Sequence, residues 1–388
     1  MRWRGVSPVE VRLEFVREYR NGFSSMAELC DAYGISRKTG YQWVARYERD
    51  GAAGLLERSR RPHTSPRATA PEIVERLLEA RRQHPTWSAR KLIRVLAERE
   101  PTVAWPTRST GCELLRRHGL VRVRRRGRRL HAPVAPLPAI TRPNEVWTTD
   151  FKGEFRTGDG QYCYPLTVRD GFSRYVLRCD ALDTRRSEPV RRRFERAFAA
   201  YGLPDRIRSD NGGPFAAPGL TRLSRLAVWW IRLGILPERI APGHPEQNGS
   251  HEQFHRVLKA ETTRPPAVNQ QAQQRRFAAF CVEYNEVRPH EALADRPPAA
   301  VYQPSRREWP RDLPAVEYPG HMEVRRVSPC GTVSWRNDAL YLTEVLSGER
   351  VGFEEVNDGI WMITFATVAI ARFDERTRRV IAMPYARQ

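Results

Sequence analysis

Lysine is almost missing from this 388-residue sequence. It occurs only at positions 38, 91, 152 and 259, so nearly all of the 66 basic residues are arginine. An arginine-favouring genome explains that choice, and arginine also suits bidentate phosphate binding. Acidic residues number 45, too few to balance the cations, and the formal net charge is +21. The surplus is uneven: residues 1–140 hold 29 Lys and Arg against 14 Asp and Glu, while 141–388 hold 37 against 31. Genome bias sets arginine over lysine but not this asymmetry, and polyanions are the natural partners of such a chain. The six cysteines (30, 112, 163, 179, 281 and 330) form no CxxC pair, which argues against a disulfide scaffold or a zinc ribbon. No apolar run approaches the roughly 20 residues of a membrane span. The opening MRWRGVSPVEVRLEF has no signal-peptide core, so a cytoplasmic protein with no membrane partner is expected. Apolar residues make up 40%, enough for real cores, and the length calls for several domains.

The N-terminal third reads as helices. Ser7-Pro8 suits a helix start, Ser25 with Glu28 forms a capping box, Gly34 is a stop, and Ser36 caps a third helix with Trp43, Val44 and Tyr47 inward. Two short helices about a glycine turn resemble a helix-turn-helix, whose second helix would offer Arg37, Lys38, Tyr41 and Gln42 to a major groove. A plain three-helix bundle with a solvated polar face is the other reading. After a Pro/Ser/Arg-rich linker over 58–70, helices over 71–83, 88–99 and from Thr107 or Ser109 to Gly119 suggest a second such unit, presenting Arg108, Arg116 and Arg117. The run VRVRRRGRRL at 121–130 carries Arg124, Arg125, Arg126 and Arg128. A charge run is usually a solvated segment; following two candidate DNA-binding units, this one reads as a phosphate-tracking arm.

From residue 144 the character changes. Strands are expected at Glu145–Phe151, Tyr162–Asp170, Tyr175–Asp180, Asp205–Ser209 and Leu236–Ile240. Helices are expected at Ser187–Tyr201, Leu220–Leu233 and Asn248–Thr262, the whole forming an α/β layer fold. Three carboxylates stand out: Asp150 in or ending an apolar strand, Asp210 at a strand end before Asn211-Gly212-Gly213, and Glu252 in the first turns of a helix. Carboxylates in such places are costly unless paired or metal-bound, and oxygen ligands from separate elements suit Mg²⁺ or Mn²⁺. Taken singly, Asp210 reads as a turn former and Asp150 as a turn or salt-bridge residue.

Three strings change that balance: VWTTDF around Asp150, IRSDNGGPF around Asp210 and APGHPEQNGSHEQFHRVLKA around Glu252. With YNEVRPHEAL at 284–293, Pro297-Pro298 and Tyr302, they resemble the catalytic core of retroviral-integrase-like DDE transposases, above all those of bacterial insertion sequences, over roughly 141–305. The resemblance implies an RNase-H-like core in which Asp150, Asp210 and Glu252 hold two Mg²⁺ (or Mn²⁺) ions, with Asn211 and Gly249 shaping the site. The family's usual spacing of about 35 residues from the second Asp would land on Glu246, but His244-Pro245, Gly249 and Glu252 fit its sequence pattern, so Glu252 is preferred; the extra residues are expected to lengthen the helix around LTRLSRLAVWW. On a helix, Glu252, Arg256 and Lys259 share a face, and Arg256 and Lys259 would grip a DNA end.

Beyond a linker at 303–320, residues 321–388 alternate like short strands, with a hairpin turn at Asn357-Asp358-Gly359. A small SH3-like β-barrel is expected there. The overall expectation is a multi-domain chain: helix-turn-helix domains at 1–57 and 71–120, a basic, Pro-rich linker at 121–143, an RNase-H-like α/β core with a helical extension at 144–302, and the barrel. Its implied activity is DNA transposition, with double-stranded DNA (terminal inverted repeats and target) as partner, a homo-oligomer as the working form, and a nucleoid-associated place in the cytoplasm. The rivals are a DNA-binding regulator with an idle core and a plain nuclease of the same fold.

Overall fold

The computed structural model describes residues 7–57, 68–121, 137–217, 219–241, 245–336 and 338–387. The chain divides into two compact units, residues 1–69 and 70–388. The first contains α1 (Pro8–Asn21), α2 (Met26–Tyr33) and α3 (Arg37–Asp50). Ser7 and Ser25 complete capping boxes with Glu10 and Glu28, and the Ser36 hydroxyl caps α3 by accepting from the Thr39 N–H. Phe15, Val16, Leu29, Val44 and Leu55 fill the centre, with Trp43 and Tyr47 packed at its edge.

The second unit opens with α4 (Pro71–Gln83), α5 (Ala89–Arg99) and α6 (Arg108–Arg117), closed around Leu77, Trp87, Leu92 and Leu115. α6 begins as α3 does: a hydroxyl cap (Ser36, Thr107), two residues, then Thr-Gly (Thr39-Gly40, Thr110-Gly111). A Cβ at Gly40 would lie 2.7 Å from Cys30 Sγ, and one at Gly111 would lie 2.7 Å from Ile93 Cδ1. Glycine is what lets each helix press against its neighbours. This trio is docked on the rest of the unit. The Arg288 guanidinium donates to Glu261 (2.8 Å) and Thr86 Oγ1 (3.2 Å) and lies over the Trp87 and Tyr284 rings, while Arg90 donates to Asp295 at 2.8 Å.

The central sheet holds β1 (Val146–Phe151), β2 (Phe155–Arg156), β3 (Tyr162–Asp170), β4 (Val176–Leu182), β5 (Arg206–Ser209) and β6 (Leu236–Arg239). Its order is β2-β3-β1-β5-β6, with β4 also on β3. β1, β3 and β4 pair antiparallel; β5 and β6 join β1 in parallel. One face is covered by α7 (Ser187–Tyr201) and α8 (Arg225–Arg232), the other by α9 (Gly249–Thr262) and α10 (Gln270–Glu286). Trp147, Val190, Phe194, Phe198 and Trp230 pack on the first side, and Cys163, Phe254, Leu258, Phe277 and Tyr284 on the second. The mixed sheet between helical layers agrees with the α/β core read from the sequence. The expected lengthening of the LTRLSRLAVWW helix does not occur: α8 starts only at Arg225, after Ser224 caps it, and residues 219–223 are irregular.

The C-terminal region corrects the sequence reading more seriously. Its strands are β7 (Glu323–Arg326), β8 (Thr332–Trp335), β9 (Asp338–Tyr341), β10 (Arg350–Asn357), β11 (Ile360–Phe365), β12 (Val368–Asp374) and β13 (Arg379–Arg387). They form an open five-stranded sheet, β13-β12-β11-β10-β7, and a separate two-stranded β8-β9 hairpin. Among the described residues no barrel closes, because β13 and β7 end the sheet without pairing to one another. The hairpin lies over the sheet instead: Val333, Trp335 and Leu340 pack with Phe353, Trp361, Ile363 and Phe373. α8 completes the cover. Leu223, Ala227, Val228 and Ile231 join this cluster, whereas Leu226, Trp229 and Trp230 face the central sheet. One eight-residue helix is thus buried on both sides.

Candidate active site

Asp150 and Asp210 are brought together by strand register. β1 and β5 pair in parallel as Val146↔Arg206, Trp147↔Ile207 and Thr148↔Arg208. The same offset, carried two residues on, sets Asp150 level with Asp210 at the carboxyl ends of neighbouring strands, where ligands gather in open α/β sheets. α9 crosses the opposite side of β1 from the α7–α8 layer. His251, Phe254, His255 and Leu258 of α9 are buried, and Glu252, Arg256 and Lys259 line its exposed face. That is the face expected from the sequence.

Burial raises the carboxyls of Asp150, Asp170 and Asp210, and their partners tell them apart. Burial, followed by the charge of Asp210 and more weakly of Glu252, pushes the Asp150 carboxyl up to about 7. Burial raises Asp210 too, against an opposing hydrogen bond from the Gly212 N–H and the charge of Arg185. Asp170 shows how an ordinary buried carboxylate is kept: it accepts from the Asn144 N–H, the Ser173 N–H and the Ser173 hydroxyl. Asp210, in contrast, has Oδ1 buried with no hydrogen-bond partner among the described residues. An orphaned, desolvated carboxylate oxygen beside a second carboxylate is a donor set suited to a hard divalent cation. Among the described residues no group of three or more His, Cys, Asp or Glu side chains is gathered closely enough to hold a metal ion.

The other expected residues fall as follows. Arg37, Lys38, Tyr41 and Gln42 are exposed on α3, as are Arg108 and Arg116 on α6; Arg116 pairs with Glu113 at 2.7 Å. Arg124, Arg125, Arg126 and Arg128 lie outside the described residues. Asn211 Nδ2 donates to the Ile240 carbonyl at 2.9 Å, tying the loop after β5 to the end of β6. A Cβ at Gly249 would meet nothing within 4 Å, so crowding does not demand glycine there. Gly212 is the tighter position, with a Cβ 2.9 Å from Asp210 Oδ2; the doubled glycine after Asp-Asn was its signal. Also missed were Lys152 and Arg185. Burial and then the charge of Lys259 lower the Lys152 ammonium, which Asp150 opposes. Arg185 stacks near Phe151 and Tyr164. His251 and His255 went unnoticed as well, although their spacing matches the apolar period of Phe254 and Leu258.

Family models match three stretches: the leucine zipper of insertion element IS481 over 15–83, and the integrase core domain over 140–245 and again over 233–298. The chain is 30% identical over 225 residues to the insertion element IS407 uncharacterized 31.7 kDa protein of Burkholderia multivorans, covering 57% of this chain and 77% of that one. It belongs to the insertion-element transposases with a retroviral-integrase-like core. A second insertion-element protein of this kind, the IS476 uncharacterized 39.2 kDa protein of Xanthomonas euvesicatoria, is 28% identical over 250 residues, 64% of this chain and 69% of that one. The HTLV-2 integrase catalytic core is similar at 15% identity, covering 42% of this chain and 98% of that one with a TM-score of 0.31, an overlap too loose to bear on function. The integrase matches contain all three acids. The zipper-type match falls, among the described residues, on separate short helices rather than one long one. No helix of the described residues is long and apolar enough to cross a membrane.

Proposed function

We propose that this transposase cuts the ends of its own DNA element and joins the freed 3′-hydroxyls to target DNA, with Asp150, Asp210 and Glu252 as its catalytic carboxylates. The observation that carries the reading is the pairing of Asp150 and Asp210 at adjacent strand ends, where one Asp210 oxygen is buried and unpartnered. Asp150, Asp210 and Glu252 would hold two Mg²⁺ (or Mn²⁺) ions. Bound there, such ions supply an activated nucleophile and charge stabilisation for phosphodiester exchange.

The chain's own residues do the rest. Arg256 and Lys259, on the face of α9 that carries Glu252, take phosphates of the element end and hold its terminal phosphodiester near the acids. Lys152 adds a cation beside Asp150. In the first reaction a water oxygen bonds to phosphorus and the 3′-oxygen of the element end leaves as a hydroxyl. In the second that hydroxyl attacks a target phosphodiester, and the target's 3′-oxygen leaves. No protein nucleophile is required. Gly212 leaves room for the loop against Asp210, and Asn211 anchors that loop to Ile240. The helix-turn-helix units would select the terminal inverted repeats, Arg37, Lys38, Tyr41 and Gln42 of α3 and Arg108 and Arg116 of α6 reading the duplex. Two ends must be joined, so a homo-oligomer is the expected working form, acting at the nucleoid.

The test uses a linear duplex carrying the element ends, with Mg²⁺. Asp150→Asn, Asp210→Asn and Glu252→Gln should each abolish cleavage and joining and leave gel-shift binding of the ends nearly unchanged. Glu246→Gln should retain both reactions. End joining by Asp150→Asn at a near-normal rate would refute the assignment; specific binding without cutting by the wild type would leave a DNA-binding regulator.

A further inference from the structure

β1, β3 and α9 meet in a buried polar cluster that the proposed chemistry leaves unused. Thr167 Oγ1, on β3, is 3.0 Å from the Asp150 carbonyl oxygen, 2.7 Å from His251 Nε2 and 2.8 Å from His255 Nε2. A carbonyl only accepts, so the single Thr167 hydroxyl proton goes to Asp150, and both imidazoles must donate Nε2–H to the hydroxyl oxygen. That bookkeeping fixes both tautomers. His251 Nδ1 then accepts from Thr148 Oγ1 at 2.8 Å, the shorter of that hydroxyl's contacts, the Arg169 carbonyl being 3.4 Å away. His255 Nδ1 is left with a lone pair facing Asp150 Oδ2 at 3.7 Å. Both rings are buried, at 0% and 6% exposure.

The placement of these groups is specific. His251 precedes Glu252 and His255 lies one turn beyond it on α9, while Thr148 and Asp150 are on β1. The helix that carries one proposed acid is therefore locked to the strand that carries another by directional hydrogen bonds, not by apolar packing alone. We propose that His251, His255 and Thr167 are positioning residues that set Asp150 relative to Glu252 for divalent-cation binding. The inference rests on the proposed role of those acids. His255 fills the space beside Asp150 Oδ2 without donating to it, and so fixes where that carboxylate stands. Thr167 meanwhile pins the Asp150 backbone.

The experiment titrates the full chain with Mn²⁺ alone and reads free ion from its electron paramagnetic resonance signal, alongside circular-dichroism melts. Thr167→Val and His255→Phe should each weaken Mn²⁺ binding about 10-fold or more, as loss of groups that orient a metal ligand does. Thr167→Ser, which keeps the hydroxyl, should bind within about 2-fold of wild type. Asp150→Asn is the control. If it binds Mn²⁺ as wild type does, the acids are not the metal site and the inference falls with that reading. If it binds poorly while Thr167→Val and His255→Phe bind normally, the positioning role alone is overturned. Lower melting temperatures with unchanged affinity would likewise overturn it by showing a purely structural cluster. Should Thr167→Val fail to fold, His255→Phe, which keeps a ring in the cavity, decides the matter on the same readout.

Discussion

Replacing Asp150 with Asn should stabilise the metal-free protein, and by an amount that depends on pH. The native carboxyl titrates at about 7 against an ordinary value of 3.8. Between these values the native state holds a proton that the unfolded chain has released, so stability falls as pH rises through that window and is flat above it. The amide has no such dependence. The advantage of Asn over Asp should therefore be larger at pH 8 than at pH 5, by at most about 3 kcal/mol, taking 1.36 kcal/mol per pH unit over the two units from pH 5 to 7. The side chain is 22% exposed, and water reaching it reduces the gap to roughly 1–2 kcal/mol. The comparison between two pH values cancels any fixed cost of exchanging oxygen for nitrogen. Urea melts of both proteins in EDTA at pH 5 and pH 8 measure it. Equal differences at the two pH values would show that Asp150 is not held in a desolvated, like-charged setting, and would remove the electrostatic ground for placing a cation there. Added Mg²⁺ should then stabilise the wild type at pH 8 and leave Asp150→Asn nearly unmoved.

Gly212→Ala puts a methyl 2.9 Å from Asp210 Oδ2; strand-joining assays should show at least a tenfold loss, about 1.4 kcal/mol, with little change in melting temperature. Arg288→Ala takes the ion-pair partner from Glu261, which keeps the Thr86 hydroxyl, and the cation from Trp87; loss of one member of so buried a pair costs up to about 3–5 kcal/mol, and limited proteolysis should release the α4–α6 trio early. Ile231→Ala, at a site 1% exposed beneath the C-terminal sheet, should cost about 2–5 kcal/mol in urea melts.

Local signals in the sequence were read well where they were chemical. Ser7, Ser25 and Ser36 marked helix starts because a hydroxyl before a helix has one good use there. The alternation of strands and helices after residue 144 gave the layered core, and the 252/256/259 face of α9 followed from helical geometry. What failed was long-range. Short alternating strands do not reveal whether a sheet's edges meet, so an open sheet with a hairpin laid over it looked like a barrel. α8 was expected to be longer because the stretch between Asp210 and Glu252 exceeds the family's usual spacing, yet the residues before it are irregular and Leu223 packs from them into the C-terminal cluster. His251 and His255 were legible only as part of an amphipathic period; that both bond to one threonine 84 and 88 residues away depends on the pairing of β1 with β3. The docking of α4–α6 through Arg288 was hidden for the same reason, since its partners are scattered along the chain.

The doubly buried α8 carries a practical lesson for anyone cutting this chain down. A fragment ending near residue 302, the natural stopping point for an integrase core, would strip the cover from Ala227, Val228 and Ile231 and offer water a greasy stripe. Such a fragment should clump, and its silence in an assay would say nothing about the chemistry. Here the C-terminal sheet is the outer cover of α8, whose inner side rests on the central sheet, so a fragment kept for assay should run through the last strand.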